Sequence, residues 1–373
     1  MSQRRSTLKH RWVVKGTKKD GKTSRAVDSG FCQEKFLKEW EPLPDDTNDT
    51  NTDYYFNSYA HFGIHEDMLK DSVRTGTYMK AILESRTVFE GKTVLDVGSG
   101  TGILCLFAAK AGAKHCFGIE CSDIVDFATK IARDNGYGEV ITYVRGRVEE
   151  VELPVDKVDI IVSEWMGYFL IYESMLDSVL FARNKWLSPG GCMFPDHARL
   201  HMAAIEDADF KEEKIGFWKH VWGFDCSPMQ QMVMQEPISD TVDAWAIATN
   251  ACCILEIDLH TVGKEDLDFV APFRLEVSRK DFLHAMVMWF DVSFGASTGN
   301  VVMCTAPGKA CTHWKQTVLY FDGSIVAQKG DVLKGMIAVR KSRLNPRDLD
   351  VKLAYEFEGH FNQPPRTQYY RLR

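Results

Sequence analysis

Short apolar runs alternate with helix-like segments between Lys92 and Pro195. The pattern predicts strands at 93–97, 115–120, 141–144 and 158–163, and helices at 102–111, 124–134 and 174–186. The first helix is predicted to place one face inward with Ile103, Leu106, Phe107 and Lys110, and the last to stop before Ser188-Pro189-Gly190-Gly191. Such alternation is typical of a parallel sheet covered by helices, with ligands at the carboxyl ends of its strands.

The pattern changes after Pro195. Strand-like segments at 267–278, 285–294, 316–320, 332–340 and 349–357 are joined by turns that contain Gly, Pro or Asn. They predict an all-β unit, either a barrel or a sandwich. Helical structure is predicted for residues 64–78 and for the aromatic- and Met-rich residues 206–237, and a short helix at 31–40 is followed by a linker.

Charge is divided unevenly along the 373 residues. Residues 1–25 carry a net charge of +8 and the remainder −15, which gives −7 for the chain. An acidic body binds nucleic acid poorly and speeds encounters with cationic substrates, so no direct nucleic-acid role is required. The basic segment is predicted to be a solvated, disordered extension, with nuclear import or RNA binding as the alternative.

Ten cysteines occur without a C-x-x-C pair. This usage predicts reduced thiols in an intracellular protein and argues against a disulfide framework or a metal site. No apolar run approaches the roughly 18 residues of a membrane span, so no membrane association is expected. Charged residues also interrupt the N-terminus where a secretory signal would be apolar.

A glycine-rich turn around Gly98 and Gly100 joins the first predicted strand to its helix. Glycines there let the backbone approach a ligand closely, and Glu120, at the end of the next strand, can accept both ribose hydroxyls of a nucleotide. A dehydrogenase would use the same arrangement, but position 103 is Ile where the dinucleotide motif has Gly or Ala. Asp96 would repel a pyrophosphate, whereas it suits the ammonium of a methionine moiety. The turn therefore resembles that of S-adenosylmethionine-dependent methyltransferases.

Glu164 and Glu173 bound an aromatic loop directly after the fourth strand. If the loop folds back on itself, both carboxylates converge on one point. A guanidinium is planar, stays charged and presents its donors as a fork, so paired carboxylates are its natural receptor. By spacing alone such glutamates would more often be surface charge. Their position at the carboxyl end of a methyltransferase sheet predicts an arginine-binding site.

Further motifs make the chain resemble the protein arginine methyltransferases from about residue 54 to its C-terminus. They are Tyr55-Phe56-x-Ser58-Tyr59, Ile64-His65-x-x-Met68-Leu69 and Thr312-His313-Trp314, besides the double-glutamate loop. The likeness is strongest to the main type I enzyme of that family, which forms asymmetric dimethylarginine. The resemblance implies a Rossmann-like S-adenosylmethionine-binding domain at 54–195 and a β-barrel domain at 196–373. It also implies a dimerisation arm at about 206–237, with a basic extension and linker at 1–53.

The resemblance also assigns roles to residues. Those assigned to S-adenosylmethionine are Tyr55, Phe56, Tyr59, His65, Arg74, Asp96, Gly98, Gly100, Glu120, Val148 and Glu149, with Arg74 on the methionine carboxylate and Glu149 on the adenine amine. Those assigned to the reaction are Glu164 and Glu173 on the guanidinium, Asp71 and His313 as a proton-relay or latch pair, and Met68, Met175 and Trp314 around the substrate. S-adenosylhomocysteine is the implied product, Arg/Gly-rich proteins and histones are the implied substrates, and a cytoplasmic and nuclear homodimer is the implied state.

Three alternatives remain at this point. A catalytically silent regulatory subunit of the same fold would have no chemical need for the complete set of site residues. A small-molecule methyltransferase would leave the paired glutamates and the large β unit without explanation. A nicotinamide oxidoreductase fits least well, because of the spacing of the glycine-rich turn.

Overall fold

The computed structural model describes residues 13–14, 59, 61–361 and 363–373. The helix predicted at 31–40 and the linker lie outside the described residues, as does the basic extension apart from Val13–Val14 (β1). This two-residue strand pairs in parallel with Phe269 and Val270.

Three helices precede the parallel sheet: α1 (Phe62–Lys70), α2 (Ser72–Glu84) and α3 (Arg86–Phe89). The helical structure predicted at 64–78 is divided at Asp71, whose backbone is extended (φ −65°, ψ 95°). The Asp71 carboxylate accepts a hydrogen bond from the backbone N–H of Arg74 at 2.9 Å and thereby caps α2. Further along α2, Tyr78 is fully buried, and its ring centroid lies 5.0 Å from that of Phe294.

Five parallel strands form the central sheet in the order β4-β3-β2-β5-β6. The strands and their helices are β2 (Thr93–Val97), α4 (Ile103–Lys110), β3 (His115–Glu120), α5 (Val125–Asp134), β4 (Ile141–Arg145), β5 (Val158–Val162), α6 (Met175–Trp186) and β6 (Leu187–Phe194). The central strands are largely apolar and buried because helices cover both faces of the sheet. Strand order reverses between β2 and β5, so their carboxyl ends border the crevice in which such sheets bind ligands.

Two details of this unit differ from the sequence prediction. The last helix ends at Trp186 as predicted, but residues 188–191 belong to β6, a strand that was not predicted. An edge strand such as β6 tolerates proline and glycine. Helix α4 buries Leu104, Cys105 and Ala108 most deeply. Of the residues predicted to face the core, Ile103, Leu106 and Phe107 are half-buried and Lys110 is exposed. The three apolar residues pack against the core as predicted, though less deeply, and the prediction was wrong for Lys110. Because α4 is apolar almost all round, its sequence marks no single stripe.

After Pro195 two sheets, antiparallel apart from β1, curve into a barrel with strand orders β1-β10-β14-β15-β16 and β8-β13-β11-β7-β9, and β12 lies beside β11. The strands are β7 (His197–Ile205), β8 (Ile238–Asp240), β9 (Cys252–Asp258), β10 (Phe269–Glu276), β11 (Asp281–Phe294), β12 (Val301–Cys304), β13 (Gln316–Ala327), β14 (Val332–Lys341), β15 (Leu349–Glu358) and β16 (Gln363–Leu372). At one seam the Tyr370 hydroxyl donates to the Tyr320 carbonyl at 2.8 Å, and at the other the Asn250 N–H donates to the Glu276 carbonyl at 3.1 Å. The predicted fold class, a Rossmann-like unit followed by a barrel, is confirmed.

Residues 206–237, the predicted dimerisation arm, lie between β7 and β8. They form α7 (Ala208–Lys214), a 3-10 turn (Gly216–Lys219) and α8 (Pro228–Gln235), with turns rather than helix between them. The Lys211 ammonium donates to two carbonyls of β13, each at 2.7 Å, and so anchors the base of the arm. Near the tip, Trp222 is 95% exposed and Phe224 73% exposed. Large apolar side chains in such positions are typical of a surface that another chain covers.

Candidate active site

A cleft of about 690 Å³ opens at the carboxyl ends of the central strands, between α1 on one side and the barrel on the other. The predicted residues that line it are Tyr59, His65, Met68, Asp71, Arg74, Gly98, Gly100, Glu120, Val148, Glu149, Glu164, Glu173, Met175, His313 and Trp314. Tyr55 and Phe56 lie outside the described residues. Asp96 is described but does not line the cleft.

The glycine-rich turn forms the floor of the cleft at one end. Gly98, Gly100 and Gly102 have φ of 75°, 53° and 87°, a region that L side chains rarely adopt. A Cβ on Gly98 would lie 2.6 Å from Cε of Met175, and one on Gly100 would lie 3.2 Å from the His65 ring. The turn therefore needs glycine both for its conformation and for the close approach of its neighbours.

Glu120 ends β3 beside this turn and is 7% exposed. Its Oε2 accepts from the Gly100 N–H at 2.9 Å, and its Oε1 accepts from the Ser122 N–H at 2.8 Å. Each carboxylate oxygen retains acceptor capacity beyond one N–H, so the fixed carboxylate can also receive hydroxyl donors. That is the arrangement that recognition of a ribose requires.

Val148 and Glu149 continue the cleft beyond Glu120. Val148 is buried, and the Glu149 carboxylate accepts from the Ser178 hydroxyl at 2.7 Å. Sequence reasoning missed Ser178, although it lies three residues after Met175 on α6 and therefore on the same helical face. Ser178 orients the carboxylate that is predicted to meet the adenine amine.

Asp96 lies near the end of β2, as predicted, and is buried. It is 1% exposed, and its Oδ2 accepts a hydrogen bond from the thiol of Cys105, at 3.4 Å, on α4. Burial, together with the nearby Glu120 carboxylate, raises the pKa of Asp96 to about 7. The thiol contact lies on the side of Asp96 that faces α4, and the residue is absent from the cleft lining. The predicted contact of Asp96 with the methionine ammonium stays a prediction.

Glu164 is held by Arg74 at the other end of the cleft. Both Nε and Nη2 of Arg74 bond to Oε2 of Glu164, at 2.9 and 2.8 Å, and both side chains are 8% exposed. Within the described part of the chain, Oε1 of Glu164 accepts no hydrogen bond. The sequence did not predict this pair; the predicted contact of Arg74 with a methionine carboxylate stays a prediction.

The loop between the two glutamates is backbone-strained. Phe169, Leu170, Glu173 and Ser174 all have positive φ, between 53° and 73°, at a cost of roughly 1–2 kcal/mol for each such residue. A Cβ on Gly167 would collide with the carbonyl of Tyr172, so this reversal needs glycine. The reversal returns Glu173 to the cleft, where its Oε2 accepts from the Tyr59 hydroxyl at 3.0 Å. The two glutamates thus line one cleft from opposite ends of the loop.

Asp71, which lies between α1 and α2, is hydrogen-bonded to His313 of the barrel. The backbone N–H of His313 donates to Oδ2 of Asp71 at 2.9 Å, and Nδ1 of His313 lies 2.8 Å from the same oxygen. Burial acts to raise the pKa of Asp71, but the hydrogen bonds from His313 and Arg74 outweigh it and hold that pKa below its usual value. The geometry is that of a latch; a relay role stays a prediction.

The walls of the cleft also include Met68, Met175 and Trp314. The Trp314 indole donates to the Met166 carbonyl at 2.8 Å and is 3% exposed, which fixes the barrel against the double-glutamate loop. His65 is buried beneath Tyr59, with its Nε2 2.8 Å from the Tyr59 carbonyl. Sequence reasoning also missed Arg347, which lines the cleft from a barrel hairpin and carries no recognisable local motif.

Among residues 61–361 and 363–373, no three or more His, Cys, Asp or Glu side chains are grouped as a metal ion would need. No helix in the described part of the chain combines the length and apolarity needed to cross a membrane.

This fold, with its glycine-rich turn and a carboxylate at the end of the next strand, defines a methyltransferase domain, and the family model for that domain matches residues 94–191. A second model, the arginine methyltransferase oligomerization subdomain, matches residues 196–360. The chain is 52% identical over 324 residues to protein arginine N-methyltransferase 1 of Chlamydomonas reinhardtii (87% of this chain, 94% of the relative). It is 51% identical over 337 residues to protein arginine N-methyltransferase 1 of Schizosaccharomyces pombe (90% and 94%).

Solved structures agree with these matches. A chain of the Trypanosoma brucei PRMT1 enzyme-prozyme heterotetrameric complex with AdoHcy superposes with a TM-score of 0.83 at 42% identity, covering 85% of this chain and 100% of that one. Arabidopsis thaliana protein arginine methyltransferase 10 gives a TM-score of 0.77 at 31% identity, covering 86% and 100%. The chain belongs to the protein arginine methyltransferase family, as its motifs predicted. It is an S-adenosylmethionine-dependent enzyme that methylates arginine in proteins, and it carries the family's oligomerization subdomain.

Proposed function

We propose that Glu164 and Glu173 together bind and polarise the guanidinium of the substrate arginine. The observation that carries this proposal is that both side chains reach one cleft from the two ends of a strained, glycine-dependent loop. Arg74 fixes Oε2 of Glu164 and leaves Oε1 turned to other donors. A planar guanidinium can donate to such carboxylates from separate nitrogens.

The residues of the cleft fit S-adenosylmethionine. Gly98 and Gly100 permit close approach of a ligand to the backbone, Glu120 offers a fixed carboxylate to the ribose, and Glu149 is oriented by Ser178 toward the adenine end. When bound, S-adenosylmethionine supplies an electrophilic methyl group on a sulfonium.

Electrostatics explains why the protein needs two glutamates. The methyl donor and the acceptor are both cationic, so their meeting in a partly dry cleft is unfavourable without countercharge. One carboxylate at roughly 4 Å contributes about 4 kcal/mol at an effective dielectric near 20, before desolvation. Arg74 offsets one of the two negative charges, so the group formed by Arg74, Glu164 and Glu173 has a net charge of −1, which the arriving guanidinium neutralises. The carboxylates draw positive charge to the distal nitrogens and leave a lone pair on the attacking one. Prior deprotonation is then unnecessary, because the attacking nitrogen can lose its proton as it takes the methyl group or afterwards. Alignment of the reactants supplies much of the remaining acceleration.

We further propose a type I product, asymmetric dimethylarginine, formed on Arg/Gly-rich proteins and histone tails. Met68 lies in the cleft as the resemblance to type I enzymes implies, and the net charge of −15 outside residues 1–25 favours cationic substrates. A homodimer is proposed from the apolar tip of the arm and the match to the oligomerization subdomain. A cytoplasmic and nuclear location is proposed because the nine described cysteines are free thiols, as in reducing compartments.

The test is methyl transfer by the purified chain from labelled S-adenosylmethionine to an Arg/Gly-rich peptide, with the methylarginine identified by mass spectrometry. Glu164→Gln and Glu173→Gln are expected to lower turnover at least about a hundredfold while affinity for S-adenosylhomocysteine stays within a few-fold, since the glutamates act on the acceptor. Glu139→Gln, at an exposed position, is the control.

Each outcome addresses a separate part of the proposal. Near-normal turnover of either Gln variant would contradict the guanidinium clamp. Symmetric or exclusively monomethylated product would contradict the type I assignment. A wild-type chain that binds S-adenosylhomocysteine but never turns over alone would favour the silent regulatory subunit.

A further inference from the structure

The backbone at the acceptor end of the double-glutamate loop needs external support. Glu173 and Ser174 have φ of 73° and 57°, two consecutive left-handed residues that are neither glycine nor asparagine. Helix α6 begins at Met175, directly after them. Left-handed non-glycine residues persist only where the surroundings hold them. The direction of the Glu173 side chain therefore depends on whatever fixes this pair.

A hairpin of the barrel supplies the contacts. The loop 342–348, between β14 and β15, lies against the two residues from the other structural unit. Arg347 bonds to both backbone groups of Glu173: its carbonyl accepts from the Glu173 N–H at 3.0 Å, and its Nη1 donates to the Glu173 carbonyl at 2.7 Å. Next to this pair, the Ser174 hydroxyl donates to the Pro346 carbonyl at 2.5 Å. Both left-handed residues are thus held by one short stretch of the hairpin.

The hairpin is itself pinned, so that it can act as a fixed support. Asn345 Nδ2 donates to the Asp348 carboxylate at 2.8 Å, and the Asp348 N–H donates to the Asn345 carbonyl at 3.0 Å. The Asn345 side-chain oxygen also accepts from the Arg347 N–H at 3.2 Å. At the base, the Ser342 N–H donates to the Asp348 carbonyl at 2.9 Å. Arg347 therefore lies on a loop that is held by hydrogen bonds between its own residues.

We propose that Arg347 is a positioning residue for methyl transfer, which holds the backbone of Glu173 so that its carboxylate meets the substrate guanidinium. This inference rests on the proposed role of Glu173. Arg347 acts through Glu173, and the barrel thereby sets the geometry of an acceptor site whose carboxylates both belong to the parallel-sheet unit. A charge-assisted hydrogen bond to a backbone carbonyl is suited to this task because it is stronger than a neutral one.

The experiment compares Arg347→Ala, Arg347→Lys and Arg343→Ala in steady-state methylation of an Arg/Gly-rich peptide. Arg343→Ala is the matched control, since Arg343 lies exposed on the same hairpin and its substitution removes the same charge. We expect Arg347→Ala to lower kcat roughly tenfold to a hundredfold, which corresponds to the loss of one hydrogen bond from a charged group. KM for S-adenosylmethionine is expected to stay within about twofold, and Arg347→Lys to recover part of kcat because a lysine retains a charged donor.

A double-mutant cycle with Glu173→Asp separates positioning from a general structural role. If Arg347 acts through Glu173, adding Arg347→Ala to Glu173→Asp costs much less than it does in the wild type. Equal costs in the two backgrounds, or a kcat of Arg347→Ala within twofold of the Arg343→Ala value, would overturn the role of Arg347 while leaving the proposed function in place. Absence of turnover in the wild type would overturn both.

Discussion

Asp96 makes the stability of the protein depend on pH in an unusual direction. Its pKa of about 7 in the folded chain lies roughly three units above the ordinary value of 3.8, because the side chain is buried beside the Glu120 carboxylate. The folded state therefore binds the proton more tightly than the unfolded state does. The sign follows from this difference: unfolding free energy falls as pH rises from about 4 to about 7, and then levels off.

The magnitude can be worked from the two pKa values. A three-unit difference corresponds to about 4 kcal/mol over the whole range, and about 2 kcal/mol of it falls between about pH 5.5 and pH 8.5. Asp96→Asn replaces the carboxyl with a neutral group of the same shape, whose carbonyl oxygen can still accept from the Cys105 thiol. The variant therefore lacks this pH dependence. Its stability relative to the wild type is expected to rise by about 2 kcal/mol across that interval.

Urea unfolding at several pH values, followed by tryptophan fluorescence, measures the difference directly. Asp156→Asn is the control, since Asp156 is exposed on the parallel-sheet unit and its substitution removes the same charge. A stability difference between Asp96→Asn and wild type that stays constant with pH, or that shrinks as pH rises, would refute the reasoning.

Three further substitutions test the cleft and the arm. Gly98→Ala puts a Cβ 2.6 Å from Cε of Met175 at a φ of 75°, so calorimetry should show S-adenosylhomocysteine binding at least about tenfold weaker; unchanged affinity would contradict the close approach. His313→Ala removes one of the bonds to the buried Asp71 carboxylate, and urea unfolding near pH 7 should show a loss of about 1.5–3 kcal/mol; a change below about 0.5 kcal/mol would argue against the latch. Trp222→Ala removes the most exposed aromatic of the arm, so sedimentation velocity should show a shift from dimer toward monomer; an unchanged dimer would place the interface elsewhere.

The central sheet could be predicted from the sequence because its buried strands leave little ambiguity. The bounds predicted for β2 and β3 are those observed, since apolar runs enclosed by glycine and charged residues mark strands buried on both faces. In contrast, β6 was missed because Pro189 and two glycines resemble a turn, and only tertiary context makes them an edge strand. In the barrel, β7 escaped prediction although its buried residues alternate at 198, 200 and 202, since the small alanine weakens the signal.

The residues of the site likewise include some that could be predicted from the sequence and some that could not. Glu120, Glu164 and Glu173 could be identified because each stands at a strand end or loop boundary that the chain pattern defines. The deep burial of Asp96 could not be predicted, because the sequence locates it next to the glycine-rich turn but does not reveal its contact with Cys105. Arg347 could not be found at all. It meets Glu173 across 174 residues of chain, and nothing in its local sequence marks the contact.

The latch between Asp71 and His313, like the contact of Arg347 with Glu173, joins a residue of the parallel-sheet unit to a residue of the barrel. A consequence follows for large-scale mutagenesis of this chain. Substitutions deep in the barrel that loosen its docking should abolish turnover yet leave nucleotide capture by the parallel-sheet unit intact. A screen scored on product alone would group them with changes at Glu164 and Glu173. A parallel screen for retention of S-adenosylhomocysteine, combined with a folding reporter, would separate variants in which the barrel docks poorly from variants that lack a catalytic group. It would thereby identify the residues at the border between the two units.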